Sequence, residues 1–223
     1  MSISPEIKFL DRDPPNLGSD EALDVIQRLY GLTGNLQPLS SERDQNFRVD
    51  ADDGLRYIFK IANRSESVDV IDFQLGALRH IEAVDSSLPV PRAKKTLQGQ
   101  DLAEICLSTG SQHIVHMLGF LEGIPLAESV AANCSGARRR LGALMARIDI
   151  ALQGYFHPAA CPQHPWNVET CTRLAPFTVH IRNDADRTMI DEVFDRMADT
   201  VAPRLRRLRH QVIHQDAHSD NVL

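Results

Sequence analysis

The sequence has few cysteines and lacks the features of several broad protein classes. Its cysteines form no CxxC pair, which favours reduced thiols in a cytosolic protein. No apolar run approaches the roughly 20 residues of a membrane span, and the N-terminus lacks the basic and apolar regions of a signal peptide. The net charge of −6 argues against broad nucleic-acid binding, which normally needs a basic surface. We therefore expect a cytoplasmic protein whose partners include neither nucleic acid nor membrane.

The residues that are present give the composition of a soluble globular protein, with 43% hydrophobic and 24% charged residues. A chain of 223 residues is long enough to bury a sizeable core. Residues 1–18 are polar and contain prolines, and predict an extended arm. Strands dominate residues 19–122 and helices dominate residues 123–223, with Gly123 and Pro125 at the change. The sequence therefore predicts a β-rich lobe followed by a helical lobe.

Apolar periodicity places the elements within these lobes. It predicts helices over 20–30, 66–84, 136–153 and 185–209, and strands over 36–39, 47–49, 55–61, 92–97, 102–107 and 113–120. Pro203 should kink or divide the last helix. The final stretch, Val212 to Leu223, has short apolar pairs on either side of a polar loop, which predicts two strands joined by a hairpin.

The polar loop of this last stretch holds a candidate pair for phosphoryl transfer. Asp216 is suited to accept a proton from a hydroxyl, and Asn221 offers a side-chain carbonyl to a metal. Such chemistry requires an oriented nucleophile and Mg²⁺ on the nucleotide phosphates. The alternative is a polar surface hairpin, since Asp and Asn are ordinary turn residues. The loop by itself does not decide between the two interpretations.

Lys60 and Gln74 are polar residues in apolar surroundings. Lys60 lies inside the strand over 55–61, where it either faces solvent or points a charge into a cleft. Gln74 falls within the predicted inward stripe of the helix over 66–84, between Val70 and Ala77. A polar group on a buried face needs a partner, and Lys60 is a candidate. The alternative is a glutamine at the edge of the stripe that reaches solvent.

Three further groups have a structural explanation that competes with a functional one. His113 and His116 form an HxxH pair, but on a strand they face opposite sides and are better explained as core or surface histidines. A zinc site competes with a proline-bearing surface loop for His157, Cys161, His164 and Cys171, whose spacing matches no common zinc pattern. A solvated helix face explains the arginines at 204, 206, 207 and 209 better than a nucleic-acid surface does.

The order of these pieces resembles a known family. A β-rich lobe with one prominent helix, a short hinge and a helical lobe is the layout of a protein-kinase-like α+β fold. The run Val212-Ile-His-Gln-Asp-Ala-His-Ser-Asp-Asn-Val-Leu223 resembles the HxDxxxxN catalytic loop of the aminoglycoside phosphotransferase and choline-kinase-like superfamily. Further stretches, in register, resemble hydroxylysine kinase and its bacterial relatives: 39–47, 59–63, 72–74 and 151–158.

The resemblance implies roles for the catalytic-loop residues. Asp216 would be the catalytic base, which mainly orients the attacking hydroxyl, because positioning outweighs basicity in a loose transition state. Asn221 would be the Mg²⁺ ligand. His214 would hold the loop through backbone hydrogen bonds. His218 would either contact the phosphoryl group or face solvent, and the sequence leaves this choice open.

The resemblance also implies a nucleotide site in the β-rich lobe. Lys60 would contact the α- and β-phosphates of ATP or GTP as a point charge. The turn from Ser41 to Asn46, which includes Arg43, matches the loop over the phosphates although it contains no glycine. The backbone amides of this turn and Asn46 would have to cradle the phosphates. The purine edge would be bound by backbone groups of the segment Phe120, Leu121 and Glu122.

The chain departs from the family pattern in two places. Gln74 stands where a helix glutamate usually pairs with the strand lysine, which weakens the pair by about 1 kcal/mol if it is buried. The sequence also stops at Leu223, before an aspartate-bearing metal motif and the substrate-binding helices are expected. We therefore expect an inactive N-terminal portion of a small-molecule kinase, with an amino-bearing alcohol as acceptor and a possible C-terminal aminotransferase-like module. The alternative is a pseudokinase that binds a nucleotide or ligand without catalysis.

Overall fold

A computed structural model describes residues 14–107, 110–129, 135–160 and 167–223 of the chain. The molecule divides into two compact units. The first, here called the sheet unit, comprises the described residues between 14 and 160 together with 211–223. The second, here called the helical unit, contains residues 167–210. The predicted lobe boundary near residue 122 stays a prediction.

A six-stranded antiparallel sheet organises the sheet unit. Its strands are β1 (Gly34–Leu39), β2 (Gln45–Ala51), β3 (Arg56–Ile61), β4 (Ala93–Lys94), β5 (Leu102–Cys106) and β6 (Gln112–Gly119). Strands β1, β2, β3 and β6 lie side by side in that order, and β4 and β5 share the far edge of β6. The predicted strands are thus present, although the strand expected over 92–97 is reduced to Ala93 and Lys94.

One face of this sheet is covered by helix α1 (Ser19–Tyr30). Alternation along β3 directs Tyr57, Phe59 and Ile61 to this face, where all three are buried. They pack with residues of β2 and β6 and with the inner side of α1, which contributes Ala22, Val25, Ile26 and Tyr30. Gly31, with φ of 66°, ends α1 in the left-handed conformation that glycine adopts readily.

The opposite face of the sheet is covered in part by helix α2 (Val68–Val84), capped by the Ser67 side chain. Its buried positions include Ile71 and Leu75, not the predicted stripe through Val70 and Gln74. The prediction that Gln74 lies on the buried side is wrong, because Gln74 is exposed as the competing interpretation had it. The sheet contacts a helix side about one residue away from the one that periodicity selected, since α2 carries apolar residues on both sides.

Helix α3 (Ser135–Ala151) and the segment after it attach to α2 through a polar and aromatic contact. Nε2 of His157 donates to Asp72 at 3.1 Å, and the Tyr155 hydroxyl donates to the backbone oxygen of Phe73 at 2.8 Å. The Phe73 and Tyr155 rings are stacked with centroids 5.8 Å apart. A Cβ at Gly76 would clash with the Tyr155 hydroxyl, so glycine permits this approach. The family-like stretches 72–74 and 151–158 thus form a structural joint.

The helical unit contains a 3₁₀ helix (Cys171–His180), helix α4 (Asp184–Arg196), a π-helical turn (Met197–Val201) and helix α5 (Ala202–Leu205). The predicted long helix is therefore divided, and the division precedes Pro203 as proline's missing N–H and ring require. Among its described residues only Thr178 is buried. The apolar residues along the divided helix, from Asp184 to Leu205, are half-buried or exposed.

The final residues do not form the predicted strand hairpin. No strand occurs over 211–223, and a turn lies at residues 219–221. Leu126 N donates to the backbone oxygen of Val222 at 2.7 Å, and Ala127 N donates to that of Ser219 at 3.1 Å. Val212 packs against the α2–α3 core instead. Apolar flanks form strands only where a neighbouring strand offers its backbone groups. The backbone contacts of the final residues are instead with a 3₁₀ helix (Leu126–Glu128).

Some predictions fall outside the described residues. These are the structure of the first part of the N-terminal arm and the placement of Cys161 and His164 in the zinc alternative. Within the described ranges, no group of three or more His, Cys, Asp or Glu residues is arranged to hold a metal ion. No helix there is both long and apolar enough to cross a membrane.

Candidate active site

The catalytic-loop candidates Asp216 and Asn221 lie side by side. Nδ2 of Asn221 donates to Oδ2 of Asp216 at 2.8 Å and to the Asp216 backbone oxygen at 3.0 Å. The turn that brings them together is closed by Asn221 N, which donates to the His218 carbonyl at 3.0 Å. Gln215 has φ of 62°, a left-handed conformation that is uncommon for a residue other than glycine. Backbone strain of this kind clusters at functional sites, which favours the catalytic interpretation of the loop.

The two histidines of the loop contact its acidic residues or their backbone. Asp216 N donates to Nδ1 of His214 at 3.3 Å, the kind of backbone hydrogen bond that a loop-holding role requires. Nε2 of His218 lies 3.0 Å from Nδ2 of Asn221 and 3.8 Å from Oδ1 of Asp216. Both Asp216 and His218 are more than half exposed, which leaves room for a substrate to reach them.

Lys60 lies on the side of the sheet opposite α1, because it alternates with the buried Phe59 and Ile61 along β3. The register pairs Lys60 with Asn46 on β2 and with His116 on β6. Residues paired across neighbouring strands point to the same face. Asn46, Lys60 and His116 therefore form a row of polar side chains across the face that α2 covers only in part.

The glycine-free turn before β2 is bound to the residues that follow β3. Nδ2 of the buried Asn63 donates to the Arg43 carbonyl at 3.3 Å. The Arg43 guanidinium contacts Ser65 at 3.1 Å and Glu66 at 3.5 Å. Ser41 is exposed. Arg43 thus stabilises the turn, and its predicted contact with a nucleotide stays a prediction.

The predicted purine-binding segment continues β6 at the edge of the same sheet. Phe120 N donates to the Arg56 carbonyl at 3.0 Å, and the Glu122 carboxylate lies 3.1 Å from the Arg56 guanidinium. Arg48 and Arg56 both lie about 6 Å from the centre of the Phe120 ring, at 5.8 and 5.9 Å. Leu121 is half-buried. Phe120 is thus held to β3 through its backbone, and the contact of this segment with a purine stays a prediction.

The candidate residues form two groups. Side-chain contacts or strand pairing connect the residues within each group. One is Asp216, His218 and Asn221, and the other is the row of Asn46, Lys60 and His116 with Asp44 beside it. No hydrogen bond or ion pair among these described residues joins the two groups. Gln74 is in neither group, since no such contact links it to Lys60 within the described chain.

Sequence reasoning did not select Asp44 or His116 as site residues. Asp44 lies in the turn predicted to cover the phosphates, but its side chain was given no role, although its carboxylate lies 3.7 Å from the Lys60 ammonium group. His116 is 5% exposed, and burial, with a smaller effect from the Lys60 charge, lowers its pKa to about 3. The strand register would have found His116, because pairing β3 with β6 places it opposite Lys60.

The donor set of the catalytic loop is compatible with Mg²⁺ when phosphates supply further ligands. The Asn221 amide nitrogen is committed to Asp216, so the amide oxygen is the atom that remains for a cation. Mg²⁺ is usually bound by one or two protein oxygens together with waters and substrate phosphates.

Comparison with known proteins supports the resemblance to a phosphotransferase family. The family described as "Phosphotransferase enzyme family" (APH) matches residues 35–223. Hydroxylysine kinase of Mus musculus is 26% identical over 220 residues, covering 91% of this chain and 57% of that protein. Hydroxylysine kinase of Danio rerio is 29% identical over 220 residues, covering 94% of this chain and 61% of that protein. The chain thus spans about three fifths of the length of these relatives.

Two solved structures share the fold. Amicoumacin kinase hAmiN, in complex with AMP-PNP, Ca²⁺ and Ami, superposes with a TM-score of 0.59 at 14% identity, covering 93% of this chain and 57% of that one. A microcompartment-associated aminopropanol kinase gives 0.51 at 16% identity, with coverage of 75% and 58%. These likenesses confirm the predicted protein-kinase-like α+β fold. The family match over most of the chain, together with that fold, shows that the protein belongs to the APH phosphotransferase enzyme family.

Proposed function

We propose that the intact protein is a small-molecule kinase that transfers the γ-phosphoryl group of ATP or GTP to a hydroxyl of an amino-bearing metabolite. The observation that carries the proposal is the direct contact of Asp216 with Asn221 in a loop that matches the family's catalytic motif. The curated relatives are named hydroxylysine kinase, which makes a hydroxylysine-like amino alcohol the first acceptor to test. We also propose a cytoplasmic location, which the reduced-thiol interpretation of the cysteines supports.

Each proposed role rests on a position in the site. Asp216, 73% exposed at its side chain, orients the acceptor hydroxyl and takes its proton. Lys60 presents a compact positive charge on the open part of the sheet face, where it neutralises phosphate charge. Mg²⁺ held by Asn221 would supply further charge neutralisation on the phosphates. His214 fixes the backbone of the loop, so that Asp216 is positioned before the substrate binds.

The test is a turnover assay on the full-length protein with ATP or GTP and Mg²⁺. The acceptors are hydroxylysine, ethanolamine, choline, homoserine and aminoglycosides. Asp216→Asn keeps the hydrogen bond with Asn221 available but removes the basic carboxylate, so we expect kcat to fall by roughly 10²–10⁴-fold. Removal of Mg²⁺ with EDTA should abolish turnover of either nucleotide.

Asp220→Asn is the matched control, because it makes the same chemical change in the same loop. The Asp220 carboxylate lies 3.4 Å from Nδ1 of His218 and is 70% exposed, and it has no assigned contact with substrate. We expect this variant to keep kcat within a few fold of the wild type. Undiminished turnover by Asp216→Asn with any of the acceptors would refute the assignment of Asp216.

A pseudokinase is the second candidate, and the position of Gln74 favours it. Gln74 carries no charge, is exposed and forms no contact with Lys60 among the described residues. Thermal unfolding of the full-length protein with and without Mg²⁺-ATP and Mg²⁺-GTP separates the candidates. A kinase should be stabilised by at least one nucleotide and turn it over, whereas binding without turnover of any acceptor would favour the pseudokinase.

A further inference from the structure

Lys60 has a counter-charge that comes from a turn rather than from a helix. Oδ2 of Asp44 lies 3.7 Å from the Lys60 ammonium nitrogen, and the two side chains are 26% and 29% exposed. Asp44 is the last residue of the turn before β2, and Lys60 lies on the neighbouring strand β3. Because Asn46 is paired directly with Lys60, the end of this turn is held next to the lysine by the sheet itself.

The other carboxylate oxygen of Asp44, Oδ1, is held by a hydrogen bond. Asn63 N donates to Oδ1 of Asp44 at 3.0 Å. Asn63 is itself 2% exposed, and its side-chain oxygen accepts from Ser65 N at 2.9 Å and from the Ser65 hydroxyl at 2.7 Å. The carboxylate is therefore set in place before any nucleotide binds, at the junction of the turn with the segment after β3. The oxygen Oδ2 of Asp44 faces the lysine.

The other neighbours of Lys60 supply no negative charge. Asn46 is neutral, and His116, whose pKa is lowered to about 3, is neutral near pH 7. Gln74 on α2 is exposed. Among the described residues, Asp44 is the one carboxylate within ion-pair distance of the Lys60 ammonium group.

We propose that Asp44 is the positioning residue for Lys60, because no carboxylate of α2 among the described residues lies within ion-pair distance of the lysine. It holds the ammonium group beside the glycine-free turn, which carries this carboxylate and faces the phosphates. The inference rests on the proposed function, since it assigns Lys60 to the nucleotide phosphates. It makes Asp44, rather than Gln74, the residue on which the lysine's geometry depends.

The first experiment compares Asp44 variants of the full-length protein. Asp44→Asn can still accept the Asn63 N–H bond but loses the charge, so we expect kcat/KM for the nucleotide to fall on the order of tenfold. Asp44→Glu should recover part of the loss. Asp52→Asn is the matched control, since Asp52 accepts a hydrogen bond from Thr33 in a different turn of the same sheet and should leave kcat/KM unchanged.

A double-mutant cycle with Lys60→Gln separates positioning from stability. If Asp44 acts through Lys60, Asp44→Asn should lower kcat/KM in the wild type but have little further effect once Lys60 is replaced. Thermal unfolding of every variant shows whether a loss of activity is only a loss of folded protein. An undiminished effect in the Lys60→Gln background, or a larger loss from Gln74→Ala than from Asp44→Asn, would overturn the inference.

Nucleotide binding distinguishes failure of this inference from failure of the proposed function. Calorimetry with Mg²⁺-ATP and Mg²⁺-GTP measures dissociation constants without any acceptor. Binding that Asp44→Asn weakens, without turnover of any acceptor, would support the inference and refute the kinase proposal. Turnover that Asp44→Asn leaves intact would refute the inference alone. No binding of either nucleotide by the wild type would refute both.

Discussion

The sheet unit and the helical unit differ in how far each buries its own apolar residues. The sheet unit contains continuous clusters on both faces of the sheet, with Phe59, Ile61 and Met117 fully buried. The described part of the helical unit buries only Thr178, while Val179 and Leu208 are 68% and 62% exposed. An amphipathic pattern therefore predicts that a helix forms. Its apolar residues leave water only where another element covers them, as helices cover the faces of the sheet.

The comparison predicts its largest contrast for matched phenylalanine truncations. Phe59→Ala, at a position 0% exposed in the sheet unit, should lower the free energy of unfolding by about 3–5 kcal/mol. Phe194→Ala, at a half-buried position of α4, should cost markedly less. Urea denaturation of the full-length protein measures both, with Phe59→Leu as a milder replacement if the alanine variant does not fold. Equal costs would show that the helical unit buries Phe194 as deeply as the sheet buries Phe59.

The second contrast concerns pH. The His116 pKa is about 3 in the folded protein and about 6.5 when unfolded. Between these values the unfolded chain binds a proton that the folded protein does not, so the free energy of unfolding falls as pH drops from about 6.5 towards 3. The slope is at most about 1.4 kcal/mol per pH unit. Urea denaturation at pH 7, 6 and 5 should show a shallower fall for His116→Gln than for the wild type.

His180→Gln in the helical unit is the control for this pH effect. His180 is exposed, so its replacement removes one histidine without removing a buried one. Parallel curves for the wild type and His116→Gln would contradict a neutral, buried His116.

The joint between α2 and the segment after α3 gives a third prediction. Gly76→Ala places a Cβ against the Tyr155 hydroxyl and should destabilise the protein by about 1–3 kcal/mol. Tyr155→Phe removes that oxygen and its bond to Phe73, at a cost of about 1 kcal/mol. The double variant should therefore lose less than the sum of the single ones. Additive losses would mean that Gly76 and Tyr155 are not in contact.

The smallest expected effect lies in the helical unit. The Asn183 side chain caps α4 by accepting from Ala185 N at 2.9 Å and from Asp186 N at 3.3 Å. Asn183→Ala should cost about 0.5–1 kcal/mol, whereas Asn183→Asp keeps a capping oxygen and should cost less. Far-UV circular dichroism during urea denaturation follows the loss. A cost as large as that of Phe59→Ala would mean that local helix formation controls the stability of the whole protein.

Much of the fold was accessible from sequence because local patterns and their burial agree. The strand over 56–61 and the turn before it are predicted by alternation and by turn residues, and Pro203 divides the last helix for a local steric reason. The pairing of Asp216 with Asn221 follows from a spacing that one turn can close. In each case the interaction involves residues close in the chain, so no knowledge of distant neighbours is needed.

The remainder depended on contacts between distant segments. The side of α2 that faces the sheet is set by the sheet and α3, and it leaves Gln74 exposed. The flanks of the catalytic loop have strand-like sequences but contact a 3₁₀ helix through Leu126 and Ala127. Helices with apolar residues on several sides and short apolar runs are ambiguous in sequence, because their partners decide which residues are buried.

The sequence by itself determined the family, the order of the six sheet strands and the main helices, and the chemical identity of Lys60, Asp216 and Asn221. Only the tertiary structure decided that Asp44 is the counter-charge of Lys60 and that His116 is a buried neutral neighbour. It also decided that the family-like stretches 72–74 and 151–158 join α2 to the segment after α3 through His157 and Tyr155. The reason is physical: side-chain type is local information, whereas charge pairing and desolvation depend on which segments the sheet register and helix packing bring within a few ångströms.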